Sequence, residues 1–282
     1  MIHKVTPFPE WNEFPVGSWQ QFTDALEPLL DAYRVPPTYV FRGQPDASWL
    51  LEPSLLRRLR GLGDRRHAHE IEQLLESEFI AQASLFPEVR TVSSVLLAAG
   101  HAERWAYMQH HSCPTRLLDW TASPFVAAYF AIEQCPDKDG AIFAVAPDAL
   151  GQYAKRQNPA MIEITDDALV DPGAPDRVAF TWPHLRSSRI VAQQGHFSVS
   201  TNILAAHDKP ILEACFAVAT EQGDRVIHRK IIIAASLKIV VLQQLRAMNV
   251  APHALFPTVD GLGRSLSDLV ALKVALATRG TG

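Results

Sequence analysis

The sequence predicts a single α+β domain built from its 282 residues. Three observations predict this class. The chain is 48% hydrophobic and 20% charged, which is enough apolar material for a sizeable core. Helical periodicity and short β-branched runs are both present along it. Finally, the sequence contains no internal repeat, no low-complexity tract and no linker long enough to divide the chain.

The N-terminal third predicts one helix and one strand. "GSWQQFTDALEPLLDAY" has helical spacing, Ser18 can cap it, and the prolines of "RVPP" end it. "TYVF" is β-branched and aromatic, so it predicts a short strand with Arg42 at or next to its last residue. We therefore expect residues 1–35 to form a helical extension that packs on a domain of residues 36–282.

The middle of the chain predicts three helices and a strand. "AHEIEQLLESEFIAQASLF" and "ERWAYMQHH" have helical spacing, and the second helix should end before Pro114. "SPFVAAYFAIEQ" predicts a third helix, with Ser123 as N-cap and Pro124 at the first helical position. "GAIFAVA" predicts a strand, whereas "PTRLLDWTASP" breaks the helical pattern.

The last third predicts two further strand regions and two helices. "RIVAQQGHFSVS" indicates strand–turn–strand with Gly195 at the turn, and "VIHRKIIIAAS" is the strongest strand pattern. Helices should follow in "LKIVVLQQLRAMN" and at the end of "LFPTVDGLGRSLSDLVALKVA". "DKPILEACFAVATEQ" fits either a helix or a loop with a short strand.

Composition and charge exclude several classes of protein. The formal net charge of -4 argues against a dedicated binder of nucleic acid or anionic membrane, while leaving room for a local basic cleft. Three widely spaced cysteines without a CxxC pair argue against a disulfide framework or structural zinc, and favour a cytoplasmic location. The N-terminus lacks a signal-peptide pattern, and no run approaches the roughly 18 apolar residues of a membrane span.

The first polar cluster that could carry chemistry is Arg42-Gly43-Gln44. A guanidinium group offers five donors in a fixed fork that suits a phosphate or a carboxylate. Gly43 would allow a sharp turn or the close approach of a ligand. The alternative is that Arg42 forms a structural pair with a buried acid such as Asp119.

The second cluster lies within Met108–Ala131, and its polar residues are Gln109, His110, His111, Thr115, Arg116, Asp119, Trp120, Thr121 and Ser123. The adjacent histidines point to different faces of a helix, so they do not form the i,i+4 pair that would bind one metal ion. Either could act as a general base or simply orient the loop. Trp120 could equally be a core residue, and Thr121 and Ser123 could be helix caps.

The third cluster is Arg189, Gln193 and Gln194, beside the glycine of the predicted turn. Glutamine amides at such a turn can bind a planar amide or a hydroxyl, or they can simply face solvent. A weaker fourth cluster, His228-Arg229-Lys230, lies on a predicted strand, where successive side chains alternate between faces. The P-loop, dinucleotide-binding, zinc-protease and hydrolase-elbow motifs are all absent from the sequence.

These clusters together resemble the FRG domain family, which takes its name from an (F/Y)RG motif. The resemblance rests on "YVFRGQ", "HHSCPTRLLDWTASPFVAAYFA", "RIVAQQGHF" and "LFPTVDG", and so extends over most of the chain. The middle segment is the most specific of the four. Ser112 stands where the family pattern has glycine.

A looser resemblance is to ADP-ribosyltransferases of the Arg–Ser-Thr-Ser–Glu type. It implies a mixed or antiparallel central sheet with flanking helices, and NAD as the substrate. By this resemblance we expect Arg42, Thr121 and Gln194 to be catalytic. The nucleotide would be bound by Arg42 and by ten further residues of the three clusters: Gly43, Gln44, His110, His111, Arg116, Asp119, Trp120, Ser123, Arg189 and Gln193. The E-x-E or Q-x-E signature of those enzymes is absent, which counts against transfer to an arginine acceptor.

The leading hypothesis is therefore an NAD-dependent ADP-ribosyltransferase or NAD glycohydrolase, of a kind that would suit a toxin or a phage-defence effector. It requires no metal and no membrane, and it leaves the protein or nucleic-acid acceptor open. One alternative is a non-catalytic module that senses a nucleotide or another anionic ligand. A nuclease that uses His110 or His111 is the least favoured. The leading hypothesis also requires Arg42, Thr121 and Gln193 or Gln194 to share one cleft, within about 15 Å.

Overall fold

The computed structural model describes residues 9–30, 37–83, 85–86, 93–157, 163–184, 187–219 and 225–279. They form an α+β fold around a seven-stranded mixed sheet, which confirms the predicted class. The strands are β1 Glu13–Val16, β2 Val40–Gln44, β3 Leu118–Thr121, β4 Gly140–Val145, β5 Val178–Thr181, β6 Gly195–Ser200 and β7 His228–Ile233. Their order across the sheet is β1-β7-β4-β2-β3-β6-β5, in which only β1 and β7 pair in parallel.

The α-helices flank the sheet and link its strands. They are α1 Trp19–Leu26, α2 Ser54–Arg58, α3 Arg65–Ala83, α4 Ser93–Ala98, α5 His101–His110, α6 Pro124–Ile132, α7 Pro147–Gln157, α8 Asp166–Val170, α9 Ser188–Ala192, α10 Asp208–Ala219, α11 Lys238–Ala247, α12 Pro252–Leu255 and α13 Val259–Arg279. Short 3-10 turns at Glu27–Leu29 and Ala235–Leu237 follow α1 and precede α11.

Side-chain alternation divides the core between the two faces of the sheet. Along β2, Phe41 belongs to the cluster that contains α6, whereas Val40 belongs to the cluster that contains Trp120 on the other face. Because side chains alternate along a strand, Arg42 and Gln44 share the face of Val40. Gly43 therefore faces α6.

Two glycines allow α6 to lie directly on the sheet. A Cβ atom on Gly43 would come within 1.9 Å of the backbone oxygen of Ala127. A Cβ atom on Gly140 would come within 2.1 Å of the backbone oxygen of Ala131. Real Cβ contacts are never so close, so only glycine fits at either position. The glycine that follows Arg42 is thus required for packing.

The sheet opens between β2 and β3. These strands share a single register pair, Phe41 with Thr121, whereas β2 pairs with β4 along its whole length. On the far side, β3 pairs with β6 from Leu118 to Thr121. The two central strands therefore diverge after Phe41 and leave a gap beside Arg42.

Two sequence expectations need correction, and two segments form strands that the sequence did not predict. Arg42 is the middle residue of β2 and not its end, because the strand continues through Gly43 to Gln44. "RIVAQQGHFSVS" lies in helix α9 followed by strand β6. The side chain of Ser187 caps α9 by accepting from the backbone nitrogen of Ile190, and β6 begins at Gly195. "LDWT", in the segment that breaks the helical pattern, is a strand. "EFPV", in the predicted helical extension, is also a strand, because it pairs with β7.

Other expectations are confirmed, and one open alternative is decided. The helices α3, α5, α6, α11 and α13 and the strands β4 and β7 lie where their patterns predict. "DKPILEACFAVA" is helical as α10. The predicted first helix runs to Leu26 and continues as a 3-10 turn to Leu29, and its last predicted residues, 31–33, lie outside the described residues. The boundary predicted at residues 35 and 36 also lies outside them, so it stays a prediction.

Candidate functional site

A cavity of about 740 Å³ lies in the gap between β2 and β3, and we call it the β2–β3 cleft. Side chains from both strands, the loop after β2, and the helices α2, α6 and α9 meet there. Eight of the residues that the sequence singled out line it: Arg42, Gly43, Gln44, Asp119, Trp120, Thr121, Arg189 and Gln193. Tertiary structure thus brings members of all three predicted clusters to one cavity.

Arg42 crosses the gap between the strands. One of its terminal nitrogens, Nη1, donates to the backbone oxygen of Asp119 at 2.8 Å. The Asp119 carboxylate accepts instead from Gln109 Nε2 at 2.8 Å, so Arg42 is not locked to that carboxylate. The Arg42 Nε atom is buried and has no hydrogen-bond partner among the described residues. Burial lowers the pKa of Arg42, against the opposing charge of Asp119, but an arginine remains charged.

Gln44 is buried on the same face of β2 and is held in one orientation. Its Nε2 atom donates to the backbone oxygen of Leu50 at 3.2 Å, which leaves Oε1 pointing elsewhere. Oε1 is buried and has no partner in the described part of the chain. Two lining residues of the cleft, Gln44 and Arg42, lie two positions apart on β2 and carry a buried acceptor and a buried donor that the described residues do not satisfy.

The predicted hydroxyl groups at the other wall have structural partners. Thr121 Oγ1 donates to the backbone oxygen of Gln193 at 2.7 Å and accepts from the backbone nitrogen of Ser123 at 3.0 Å. Ser123 caps α6 by accepting from the backbone nitrogen of Val126 at 3.3 Å. Gln193 Nε2 donates to the backbone oxygen of Leu255. These bonds hold β3, α6 and α9 together at the cleft.

Trp120 is a core residue whose indole has two neighbours on the face of the sheet that also contains Val40. Its Nε1 atom donates to Ser198 Oγ at 2.8 Å, and its ring meets Phe180 edge-on. Ser198 in turn bonds Nδ1 of the buried His207 at 2.9 Å. Because the indole is 2% exposed, it offers no free face for a ligand to stack on.

Sequence reasoning missed several residues of the cleft. Arg57, Arg60 and Glu52 come from the segment "LEPSLLRRLR", whose basic character was visible but could not be connected to β2. Trp49 lies on the loop after β2 and is 48% exposed. Phe130 and Glu133 come from α6 and its C-terminal end, where no motif marks a ligand.

Glu133 supplies to the cleft a carboxylate that the sequence did not mark as a site residue. It follows the last residue of α6 and shares a hydrogen bond with Tyr129. Burial raises the pKa of Glu133, and the charge of Arg264 opposes that shift. Four arginines and three acids, Glu52, Asp119 and Glu133, thus line the cleft, with the arginines at positions 42, 57, 60 and 189.

The comparison with known families can now be set beside this geometry. The family model of the FRG domain matches residues 37–140. This segment is identified as an FRG domain. The matched residues contain β2, β3, α2 and α6, which supply Arg42, Asp119, Thr121 and Glu133 to the cleft. Arg189 and Gln193 come from outside the match. No curated protein and no solved structure matches the chain.

Other residues predicted from the sequence do not line the cleft. His111 borders a separate apolar cavity beside α3, together with Cys113. His110 is half-buried on α5, and burial lowers its pKa, as do the nearby charges of His111 and Arg189. Ser123 caps α6 and is not among the residues that line the cleft. Gln194 is exposed and has a left-handed backbone, with φ of 48°.

Arg116 belongs to a buried ion network beneath the FRG domain's central motif. Its side chain is 1% exposed and forms a two-bond pair with Glu72 of α3, in which Nε donates to Oε1 at 2.8 Å. Nη1 donates to the backbone oxygen of Ser200 at 3.1 Å, and the guanidinium lies 4.7 Å from the ring centre of Trp105. These contacts leave no part of Arg116 facing the β2–β3 cleft.

Ser112 shows how the FRG domain tolerates the departure from its pattern. It ends the turn after α5 with a left-handed φ of 65°, the region that glycine occupies most readily. The glycine of the family pattern therefore has a conformational reason.

The described residues contain neither a cluster of metal ligands nor a membrane-spanning helix. Within those residues, no group of three or more His, Cys, Asp or Glu side chains is arranged to hold a metal ion. The helices of that same part of the chain include none that is long and apolar enough to cross a membrane.

Proposed function

We propose that the β2–β3 cleft binds NAD and that the protein cleaves the bond between its nicotinamide and ribose. The product would be a transferred ADP-ribose, as in an ADP-ribosyltransferase, or free ADP-ribose, as in an NAD glycohydrolase. The observation that carries this proposal is the gathering of four arginines around one cleft, in a protein whose net charge is -4.

Size and charge support a dinucleotide as the ligand. Ligand pockets commonly enclose about 300–1,000 Å³, and the cleft volume of about 740 Å³ lies inside that range. The pyrophosphate of NAD is anionic, and guanidinium groups bind phosphate oxygens through paired, charge-assisted hydrogen bonds. Arg57 and Arg60 are exposed at the mouth, where Trp49 could stack on a base.

Glu133 is the residue that we propose for the chemical step. As the glycosidic bond breaks, its electron pair leaves with nicotinamide and positive charge develops on the ribose. An ionised carboxylate stabilises that charge. It can then accept the proton of the water or acceptor hydroxyl whose oxygen bonds to the ribose carbon. Glu133 would take the role that the resemblance implied for Gln194, whose side chain lies outside the cleft.

The other proposed roles follow the contacts in the cleft. Arg42 supplies positive charge and an unused donor, and Gln193 and Arg189 form the opposite wall. Thr121 orders that wall by bonding Gln193, so we propose it as a positioning residue. His110, His111 and Arg116 have no direct role in this proposal.

The test is to incubate the purified protein with NAD and to measure free nicotinamide by chromatography, with and without cell extract as a source of acceptors. We expect nicotinamide release that falls in Arg57→Ala. The matched control is Arg58→Ala, the exposed neighbour that does not line the cleft, and it should release nicotinamide as the wild type does. NAD binding without any release would reject the enzyme, and neither binding nor release would reject the NAD site.

A second candidate function is a non-catalytic module that senses a nucleotide or another anionic ligand. One observation favours it: the hydroxyls of Thr121 and Ser123, which the resemblance implied at the reaction centre, are occupied by structural hydrogen bonds. A role in a toxin or in phage defence rests on the family resemblance. A nuclease has the weakest support, because neither His110 nor His111 lines the cleft.

A further inference from the structure

Two buried polar atoms on one face of β2 indicate what the inner end of the cleft binds. Gln44 is 4% exposed and its Oε1 atom accepts no hydrogen bond from any residue that the structure describes. Arg42 Nε, two residues earlier on the same face, is likewise buried without an acceptor in the described chain. Both residues line the cleft. Buried polar groups in native proteins are nearly always paired, so this end is built to receive a partner.

The orientation of both groups is fixed by bonds to backbone oxygens. Gln44 Nε2 donates to the oxygen of Leu50, and a flipped amide would place two acceptors against each other there. Arg42 Nη1 donates to the oxygen of Asp119, which holds the plane of the guanidinium group. The inner end therefore presents one acceptor and one donor in set positions.

This pair selects the ligand group by its hydrogen-bonding pattern. A phosphate or a carboxylate has no hydrogen to donate to Gln44 Oε1, and it would be repelled by that oxygen. Positions two apart on a strand are separated by about 6.7 Å. One hydroxyl or water oxygen would need to lie within about 3 Å of both atoms, whereas a carboxamide carries its acceptor and donor on separate atoms and spans a longer distance.

We infer that Gln44 and Arg42 form a subsite for a primary carboxamide, the nicotinamide group of NAD. The amide nitrogen donates to Gln44 Oε1, and the amide oxygen accepts from Arg42 Nε. The exposed Arg57, Arg60 and Trp49 then lie at the mouth, toward the phosphates and the adenine. This inference rests on the proposed function and adds to it which end of the dinucleotide enters first.

The test compares three dinucleotides by calorimetric titration in the cold, where turnover is slow. They are NAD, its 3-acetylpyridine analogue, which keeps the carbonyl but replaces the amide NH₂ with methyl, and its hypoxanthine analogue, which removes the adenine amine. We expect wild type to bind NAD about tenfold more tightly than the acetylpyridine analogue, because the analogue leaves Gln44 Oε1 unpaired. The hypoxanthine analogue should bind within about twofold of NAD.

A Gln44→Met variant removes the acceptor while keeping an unbranched side chain of similar length. It should bind NAD and the acetylpyridine analogue within about twofold of each other. The control is Gln20→Met, an exposed residue of α1 that does not line the cleft and should keep the wild-type preference. If Gln44→Met does not fold, the relative affinities of the wild type for the three dinucleotides test the inference by themselves.

Three results would overturn the inference, and they are distinguishable. Equal and tight binding of NAD and the acetylpyridine analogue would leave the NAD site standing and reject the carboxamide subsite. Discrimination against the hypoxanthine analogue would show that adenine, which also has neighbouring donor and acceptor atoms, occupies the inner end. No binding of any of the three would reject the proposed function and this inference with it.

Discussion

Two arginines singled out by the sequence, the buried Arg116 and the partly buried Arg42, occupy contrasting surroundings. Arg116 has a carboxylate partner, two backbone oxygens and a histidine nitrogen within hydrogen-bonding distance, and the ring of Trp105 beneath it. Arg42 has one backbone oxygen and an Nε atom for which the described residues offer no acceptor. A buried cation is costly unless it is paired. The difference indicates that Arg116 maintains the fold, and it agrees with the ligand-binding role that we propose for Arg42.

The largest effect should come from breaking the Arg116 network. Arg116→Ala leaves Glu72 buried without its partner, so we expect the free energy of unfolding in urea to fall by about 3–5 kcal/mol. The paired change Arg116→Met with Glu72→Leu removes both charges and should recover most of that loss. If Arg116→Ala unfolds at the wild-type urea concentration, Arg116 does not have the structural role that separates it from Arg42.

A kinetic effect of similar size should follow from Glu133→Gln. The variant keeps the shape of the side chain but cannot ionise, so nicotinamide release should fall by about 10²-fold while NAD affinity is kept. Burial raises the pKa of Glu133, so wild-type activity should be low where the carboxyl is protonated and should increase as the pH rises through that elevated pKa.

Glu133→Gln should remove that limb of the pH profile. Glu70→Gln, an exposed residue of α3 outside the cleft, serves as the control and should keep both the rate and the pH dependence. An unchanged pH profile in Glu133→Gln would assign the chemistry to another group.

Arg42→Met should weaken NAD binding with little loss of stability, whereas Arg116→Ala should mainly lower stability. The loss of charge-assisted hydrogen bonds should weaken NAD binding by about 10- to 100-fold. The free energy of unfolding should change by less than about 1 kcal/mol, because no carboxylate is left unpaired. A loss of stability comparable with that of Arg116→Ala would make Arg42 a structural residue as well.

The smallest effect should come from the tryptophan at the mouth of the cleft. Trp49 is 48% exposed, whereas Trp105 in the Arg116 network is 1% exposed. Trp49→Ala should weaken NAD binding by about 1 kcal/mol, roughly fivefold, through the loss of base stacking, and should leave the urea midpoint unchanged. Phe216→Ala, which removes an equally exposed aromatic ring outside the cleft, should alter neither quantity.

Parts of the site were predictable from sequence because their signals are local. Three local patterns mark side chains with a special structural or functional role. They are an arginine inside an apolar β-branched run, a serine before a proline, and the polar residues concentrated in "HHSCPTRLLDWTASP". Together with the polar residues of the third cluster, these signals marked eight residues that line the cleft. They also included Arg116 and Gln194, because a residue's type does not reveal which way the fold turns it.

Other parts were not predictable for the same physical reason. Short strands such as "LDWT" and "EFPV" have too few residues for a clear period, and they are strands because neighbouring strands pair with them. Arg57 and Glu133 are ordinary charged residues in their own segments. They enter the cleft only because α2 and the end of α6 are packed beside β2.

The sequence by itself determined the α+β class, most of the longer helices, the capping of α6 by Ser123 and the presence of an arginine in the strand that begins with "VF". These features depend on periodicity and on contacts between residues a few positions apart. Only the tertiary structure decided which arginine is paired. Glu72 lies 44 residues before Arg116, and Asp119 lies 77 residues after Arg42 yet offers it a backbone oxygen instead of its carboxylate. Packing of distant segments sets such partners, and those partners separate the residue that stabilises the fold from the residue that we propose binds a ligand.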